Sequence, residues 1–135
     1  MAGFFTDYVN NKVLDLIFGS TGFTTSSTLY FGLSQGAANK GGSYVEPSGG
    51  GYSRVAVSNN ASNFPAAFGG TKSNATVITF AAPTADWGTI QSILIADSTS
   101  GGNILAMADL ASPKPITSSS SSPKVAVGAL FLSHT

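Results

Sequence analysis

Few side chains in this 135-residue chain could carry out chemistry, and their spacing argues against most of it. The one histidine, His134, stands one residue from the C-terminus, leaving a Ser-His-Asp arrangement or a multi-histidine metal site almost nothing to build from. The six carboxylates, Asp7, Asp15, Glu46, Asp86, Asp97 and Asp109, are spread along the chain without a D-x-D cluster for a hard cation. A glycosidase-like carboxylate pair would have to be brought together by the fold. Gly69-Gly70-Thr71-Lys72-Ser73 lacks the G-x-x-x-x-G-K-[ST] order that sets a lysine on phosphates. The triple glycine Gly49–Gly51 does not fit G-x-G-x-x-G, and it precedes a strand pattern where a dinucleotide site needs a helix N-terminus. The expectation is a non-enzyme with no cofactor and no metal.

Two residues read as structural anchors. Trp87, between Asp86 and Gly88, has the setting of a ring packed at a strand entrance; the competing reading is an exposed aromatic for sugar or partner binding. Arg54, two residues after Tyr52, is expected to pair with a carboxylate such as Glu46 or Asp86 at the rim of a sheet.

The elements that must hold these residues follow from periodicity. Thr6 or Asp7 can cap a helix over 6–18 whose apolar residues Val9, Val13, Leu16 and Ile17 fall on one face, with Gly19 as its stop. Asn11, Lys12 and Asp15 take the other side. Beyond a Thr/Ser loop, Leu29, Phe31 and Leu33 alternate with Tyr30 and Gly32, the period of a half-buried strand. Runs at 52–58, 75–81, 89–96, 103–110 and 124–133 read as further strands, and Gly101-Gly102 as a hairpin turn. The segment 112–123, with Pro113, Pro115, Pro123 and the Ser118–Ser122 run, reads as a surface connection that cannot continue a strand.

The fold expected is mostly β: an antiparallel β-sandwich or barrel-like domain of about six to eight strands with one N-terminal amphipathic helix. One domain covers 1–135, with the β-domain at 27–135. Its core is expected to hold Val9, Val13, Leu16, Ile17, Leu29, Phe31, Phe80, Trp87, Ile93 and Ile95. Without cysteine, packing alone must stabilise it.

Charge bounds the partners. Only 9 % of residues are charged, well under the usual quarter or so, and six basic residues balance six acidic ones. No basic stripe exists to release counterions from nucleic acid, and little long-range repulsion separates identical copies. No apolar run approaches a membrane span, and the first residues, Met1-Ala2-Gly3-Phe4-Phe5, lack a basic, apolar leader, so synthesis in the cytoplasm is expected. Asn60-Ala61-Ser62 and Asn74-Ala75-Thr76 match the glycosylation triplet at a frequency expected by chance.

Five segments, in their order and spacing, carry a resemblance over nearly the whole chain. They are Phe5-x-x-Tyr8-x-x-Asn11-Lys12-x-Leu14-Asp15 with Phe18-Gly19; Thr28-Leu29-Tyr30; Ser48-Gly49-Gly50-Gly51-Tyr52-x-Arg54; Thr84-Ala85-Asp86-Trp87-Gly88-Thr89; and Gly101-Gly102-Asn103-Ile104-Leu105. The chain resembles short virion structural proteins of tailed bacteriophages, often catalogued as tail fibre proteins. It departs from that pattern in the insert Ala61–Phe68 and in the Ser118–Ser122 run. The resemblance implies a virion component with no catalytic residues. With no heptads for a shaft, the first expectation is a capsid decoration or cement protein binding the major capsid protein lattice as a homo-oligomer, a trimer favoured. The alternative is a tail or tail-fibre component touching host glycans through exposed Trp87, Tyr44 or Tyr52.

Overall fold

The computed structural model describes residues 1–133, so His134 lies outside the described residues. Alternation in the strand with the richest apolar run decides the centre of the fold. From Ser92 to Ala96 every residue is buried, with Ile93 and Ile95 facing one way and Leu94 and Ala96 the other, so this strand must be covered on both faces.

The elements follow as β1 (Ala2–Phe5), α1 (Asp7–Ile17), β2 (Thr28–Ser34), β3 (Val55–Ser58), β4 (Thr71–Ser73), β5 (Ile78–Thr79), β6 (Gly88–Ala96), β7 (Ile104–Ile116), β8 (Lys124–Val125) and β9 (Phe131–Ser133). Seven strands in the order β3-β2-β6-β7-β1-β9-β4 make one sheet that curls into a half-barrel, and β5 and β8 pair separately. All pairings are antiparallel except β1 with β9, which is parallel. The inner face holds Phe31, Phe80, Trp87, Ile90, Ile93 and Ile95, with Leu29 packed at its edge. A smaller cluster of Leu94, Ala96, Ile104 and Met107 lies on the outer face, under Ala38 and Tyr44 of the loop between β2 and β3.

Several expectations are corrected. Nine strands form among the described residues, more than expected, because β1 and β4 are too short to register as periodic runs. β1 exists through its neighbours: it slots between β7 and β9, and Gly3 packs so closely there that a Cβ would displace the end of the Leu132 side chain and crowd Ala108 Cβ at 3.3 Å. The run 124–133 divides between the two sheets as β8 and β9. The run 75–81 shrinks to β5.

Pro113 and Pro115 do not end β7, which continues to Ile116. Beyond Ala108 the strand has lost β1 and pairs on one side only, with Gly88, Thr89 and Ile90 opposite Ile116, Pro115 and Lys114 after a bulge. Proline is tolerated there because one edge of the strand needs no donors. The surface connection is therefore only 117–123.

The helix is where expected, yet its core assignment holds only at its start. Val9 is buried and Val13 half-buried, whereas Leu16 is 45 % and Ile17 64 % exposed. The face is amphipathic as read, but α1 packs on β1 and β7 with its first turns and runs past the sheet thereafter. Thr6 holds the N-cap position without capping. Its hydroxyl instead donates to the Ile104 carbonyl at 2.6 Å, pinning the helix start to β7. The chain leaves α1 through Gly19 (φ 138°) and Ser20 (φ 56°), with the Thr21 N–H returned to the Asp15 carbonyl. No helix among the described residues is long and apolar enough to cross a membrane.

Candidate interaction surface

Polar side chains in the interior are engaged with one another or with the backbone. Arg54 lies just before β3, and its side chain is 1 % exposed. Its Nη2 donates to Glu46 Oε1 at 2.6 Å and its Nε to both carboxylate oxygens, while Nη1 donates to the Ser98 and Gly101 carbonyls at 2.8 and 3.0 Å. The guanidinium also sits over the Tyr44 ring, 5.6 Å from its centroid. Tyr52 Oη donates to Glu46 Oε2 at 2.5 Å and accepts the Leu33 N–H at 2.9 Å. Arg54 thus ties the long β2–β3 loop to the β6–β7 turn, with Glu46 and not Asp86 as its partner, and Tyr52 ties Glu46 to the Leu33 N–H of β2.

The local chemistry follows. Burial, then the hydrogen bond to the Glu46 carboxylate, pushes the Tyr52 phenol far above the usual tyrosine range, and the Leu33 N–H only partly offsets this. Burial by itself would weaken the charge on Arg54, but the Glu46 carboxylate outweighs it, and the guanidinium pKa lies above its ordinary value. This is a buried structural pair with no open side facing a substrate.

Other polar groups act as ties in the same way. Asp86 accepts the Ser118 N–H, Asp97 accepts from Asn103 twice, and Asp109 accepts the Ala38 N–H. Asn74, buried within the second glycosylation triplet, donates to the Thr76 and Ala126 carbonyls and accepts the Leu130 N–H, so its amide is out of reach of any modifying enzyme. Among the described residues no group of three His, Cys, Asp or Glu is placed to hold a metal ion.

The aromatics considered for glycan stacking are not free for it. Trp87 is 2 % exposed, its ring edge-on to Tyr52 at 5.3 Å and its Nε1–H donated to the Gly50 carbonyl at 2.8 Å. Tyr52 is spent on Glu46 and Leu33, and Tyr44 lies half-buried beneath Arg54. Trp87 is the packed anchor its Asp-Trp-Gly setting implied.

Apolar surface is exposed elsewhere. In the 61–70 segment, Phe64 turns inward and stacks on Phe31, ring centroids 6.2 Å apart. Phe68 turns outward and is 90 % exposed. Phe68 and Thr71 exchange backbone hydrogen bonds of 2.9 and 3.1 Å around Gly69 (φ 61°) and Gly70 (φ 77°), so a tight hairpin holds the ring out in solvent. The sequence set the insert Ala61–Phe68 apart without singling out the aromatic at its end; a large apolar residue directly before two glycines was the available signal.

Across from this hairpin α1 forms the other wall of an open cavity of about 610 Å³. Tyr8, Val9 and Val13 line it from the helix, Leu29, Ile95 and Ala106 from the sheet floor, and Phe64 and Lys72 from the two sides of the Phe68 hairpin. Past the cavity the end of α1 exposes Leu14, Leu16, Ile17 and Phe18. A soluble monomer rarely leaves so much apolar surface in one place without a use for it.

A family model described as Podophage GP4 fiber I protein gp80 matches residues 4–133, spanning β1 to β9. No curated protein matches the chain.

Proposed function

The chain belongs to the podophage GP4 fiber I protein gp80 family, a family of phage fibre proteins, and from that premise we propose that it is a non-enzymatic, homo-oligomeric component of the tail fibre apparatus. The match over 4–133 carries this reading, because it takes in all but the first three of the described residues. A half-barrel without heptads is a globular module of a fibre, not its shaft. Its exposed apolar surfaces dock on other virion proteins, and the outward Phe68 hairpin is the element best built to touch the host envelope. Arg54, Glu46, Asp86, Asp97 and Asp109 are drawn into loop ties, which supports a role in rigid display over one in catalysis or nucleic-acid binding.

The reading favours the tail over the capsid lattice, since lattice decoration rests on small size and neutrality alone. Immunogold labelling of purified virions, with copy number measured against the major capsid protein by isotope-labelled peptides, tests it. Label at the tail and a handful to a few dozen copies per particle are expected. Label over the head and hundreds of copies would sink the fibre reading and restore decoration.

A further inference from the structure

The curled sheet, α1 and the 61–70 segment leave the mouth of the half-barrel unfilled. The cavity there, about 610 Å³, has Val9 and Val13 on its helix wall, Phe64 across from them, and Leu29, Ile95 and Ala106 on its floor. Phe23, from the loop after α1, joins the lining with its ring edge-on to Tyr8, centroids 6.5 Å apart. Small-molecule sites have this volume and this apolar lining, and barrel mouths are among the places where they occur.

Two charged residues line the cavity, and one of them is uncommitted. Asp97, directly after β6, accepts the Asn103 backbone N–H at 2.9 Å and the Asn103 Nδ2 at 3.0 Å. Lys72, in the middle of β4, is half-buried, and no carboxylate among the described residues pairs with its ammonium. Four strand-to-strand steps separate the two in the sheet order β6-β7-β1-β9-β4, so an anion at Lys72 is not set beside Asp97.

We infer that this mouth binds a single-chain amphiphile with a carboxylate head, a ligand of the free fatty acid class, its alkyl chain against Ile95 and Ala106 and its carboxylate on Lys72 Nζ. Size argues for a small ligand over a protein segment. A helix about 10 Å across would fill about 610 Å³ in less than two turns, too little to anchor a partner, whereas an alkyl chain is taken in whole. Charge selects the head. One lysine balances one negative charge, which a carboxylate carries; a phosphate monoester brings nearly two, and the excess would be stranded against apolar walls. A neutral ligand would cover Lys72 without giving its ammonium a partner. The inference does not depend on where in the virion the protein sits.

Calorimetric titration of the full chain with octanoate, decanoate and dodecanoate, each below its micelle concentration, tests this. A single molecule per chain is expected to bind, roughly tenfold tighter for each pair of methylenes added, as burial of alkyl surface requires. Lys72→Gln is expected to weaken decanoate about tenfold, the worth of one hydrogen bond to a charged group, and to leave 1-decanol unchanged. Lys114→Gln, outside the cavity, is expected to change neither. Val13→Trp, which fills the mouth from the helix side, should abolish binding of both while the circular dichroism spectrum is kept. Should that variant fail to fold, the Lys72 comparison decides. Absence of binding by all three acids overturns the inference and leaves the mouth to an apolar segment of another protein. Affinity independent of chain length, equal loss of decanoate and decanol in Lys72→Gln, or decanoate binding that survives Val13→Trp in a folded chain overturns it as well. Virion labelling reports on the fibre reading separately.

Discussion

Arg54 and Glu46 are joined by a 2.6 Å Nη2–Oε1 contact, and the same guanidinium reaches the Ser98 and Gly101 carbonyls on the far side. The arginine is nearly inaccessible and its partner 18 % exposed, so either charge would be stranded by loss of the other. Replacing Arg54 with Met is expected to cost about 3–5 kcal/mol, the usual loss when one member of a buried pair is removed. Arg54→Lys should recover only part of it, because an ammonium cannot fork to the carboxylate and both carbonyls. Urea unfolding of the two variants checks both.

Tyr52 makes stability fall in alkali. Its pKa is raised in the folded state above the unfolded value of about 10, so the folded chain holds the phenolic proton where the unfolded chain has released it. The stabilisation is fully present below pH ~10 and is lost progressively as pH rises above that. Thermal unfolding between pH 8 and 11.5 should therefore show a decline in wild type that is shallower in Tyr52→Phe. Parallel profiles would remove Tyr52 as its cause.

Trp87 is the one tryptophan, and its emission should be blue-shifted in the folded protein. Trp87→Ala is expected to cost about 3–5 kcal/mol through the cavity left beside Tyr52. Trp87→Phe keeps most of the packing and should cost less, the remainder including the Gly50 carbonyl left without its donor. Denaturation followed by circular dichroism measures all three proteins.

Gly32 is required by proximity and not by backbone angle. A Cβ there would lie 2.8 Å from Tyr52 Oη and 3.0 Å from both Glu46 Oε2 and Leu94 Cδ1. Gly32→Ala should destabilise by about 1–3 kcal/mol, as overpacking does, and in a Tyr52→Phe background by less. Additive costs in that double variant would rule out the hydroxyl as the clashing group.

Phe68 should separate stability from function. Its ring is solvated, so Phe68→Ser is expected to leave unfolding free energy within about 0.5 kcal/mol. Phage carrying that change should adsorb to host cells more slowly. Unchanged adsorption would remove the hairpin as the host contact.

The sequence alone determined the mostly-β class, the position of α1, β2 and β6, the Gly101-Gly102 turn, the packed Trp87 and an Arg54–carboxylate pair. Each is written locally: period-2 or period-3.6 apolarity, a glycine where φ must be positive, or an arginine near few possible partners. Tertiary structure decided what depends on neighbours distant in sequence. β1 is a strand only because β7 and β9 flank it, and β7 runs through Pro113 and Pro115 only because one of its edges is unpaired there. Periodicity placed Val9, Val13, Leu16 and Ile17 on one helix face, but where the sheet stops beneath them is a matter of packing, and that boundary turns the last two from core into exposed surface. The same holds for the aromatics: Tyr44, Tyr52 and Trp87 were the candidates for binding, and the β2–β3 loop folded back over the sheet buries them wholly or in part, leaving Phe68 on its two-glycine turn as the most exposed of the described rings.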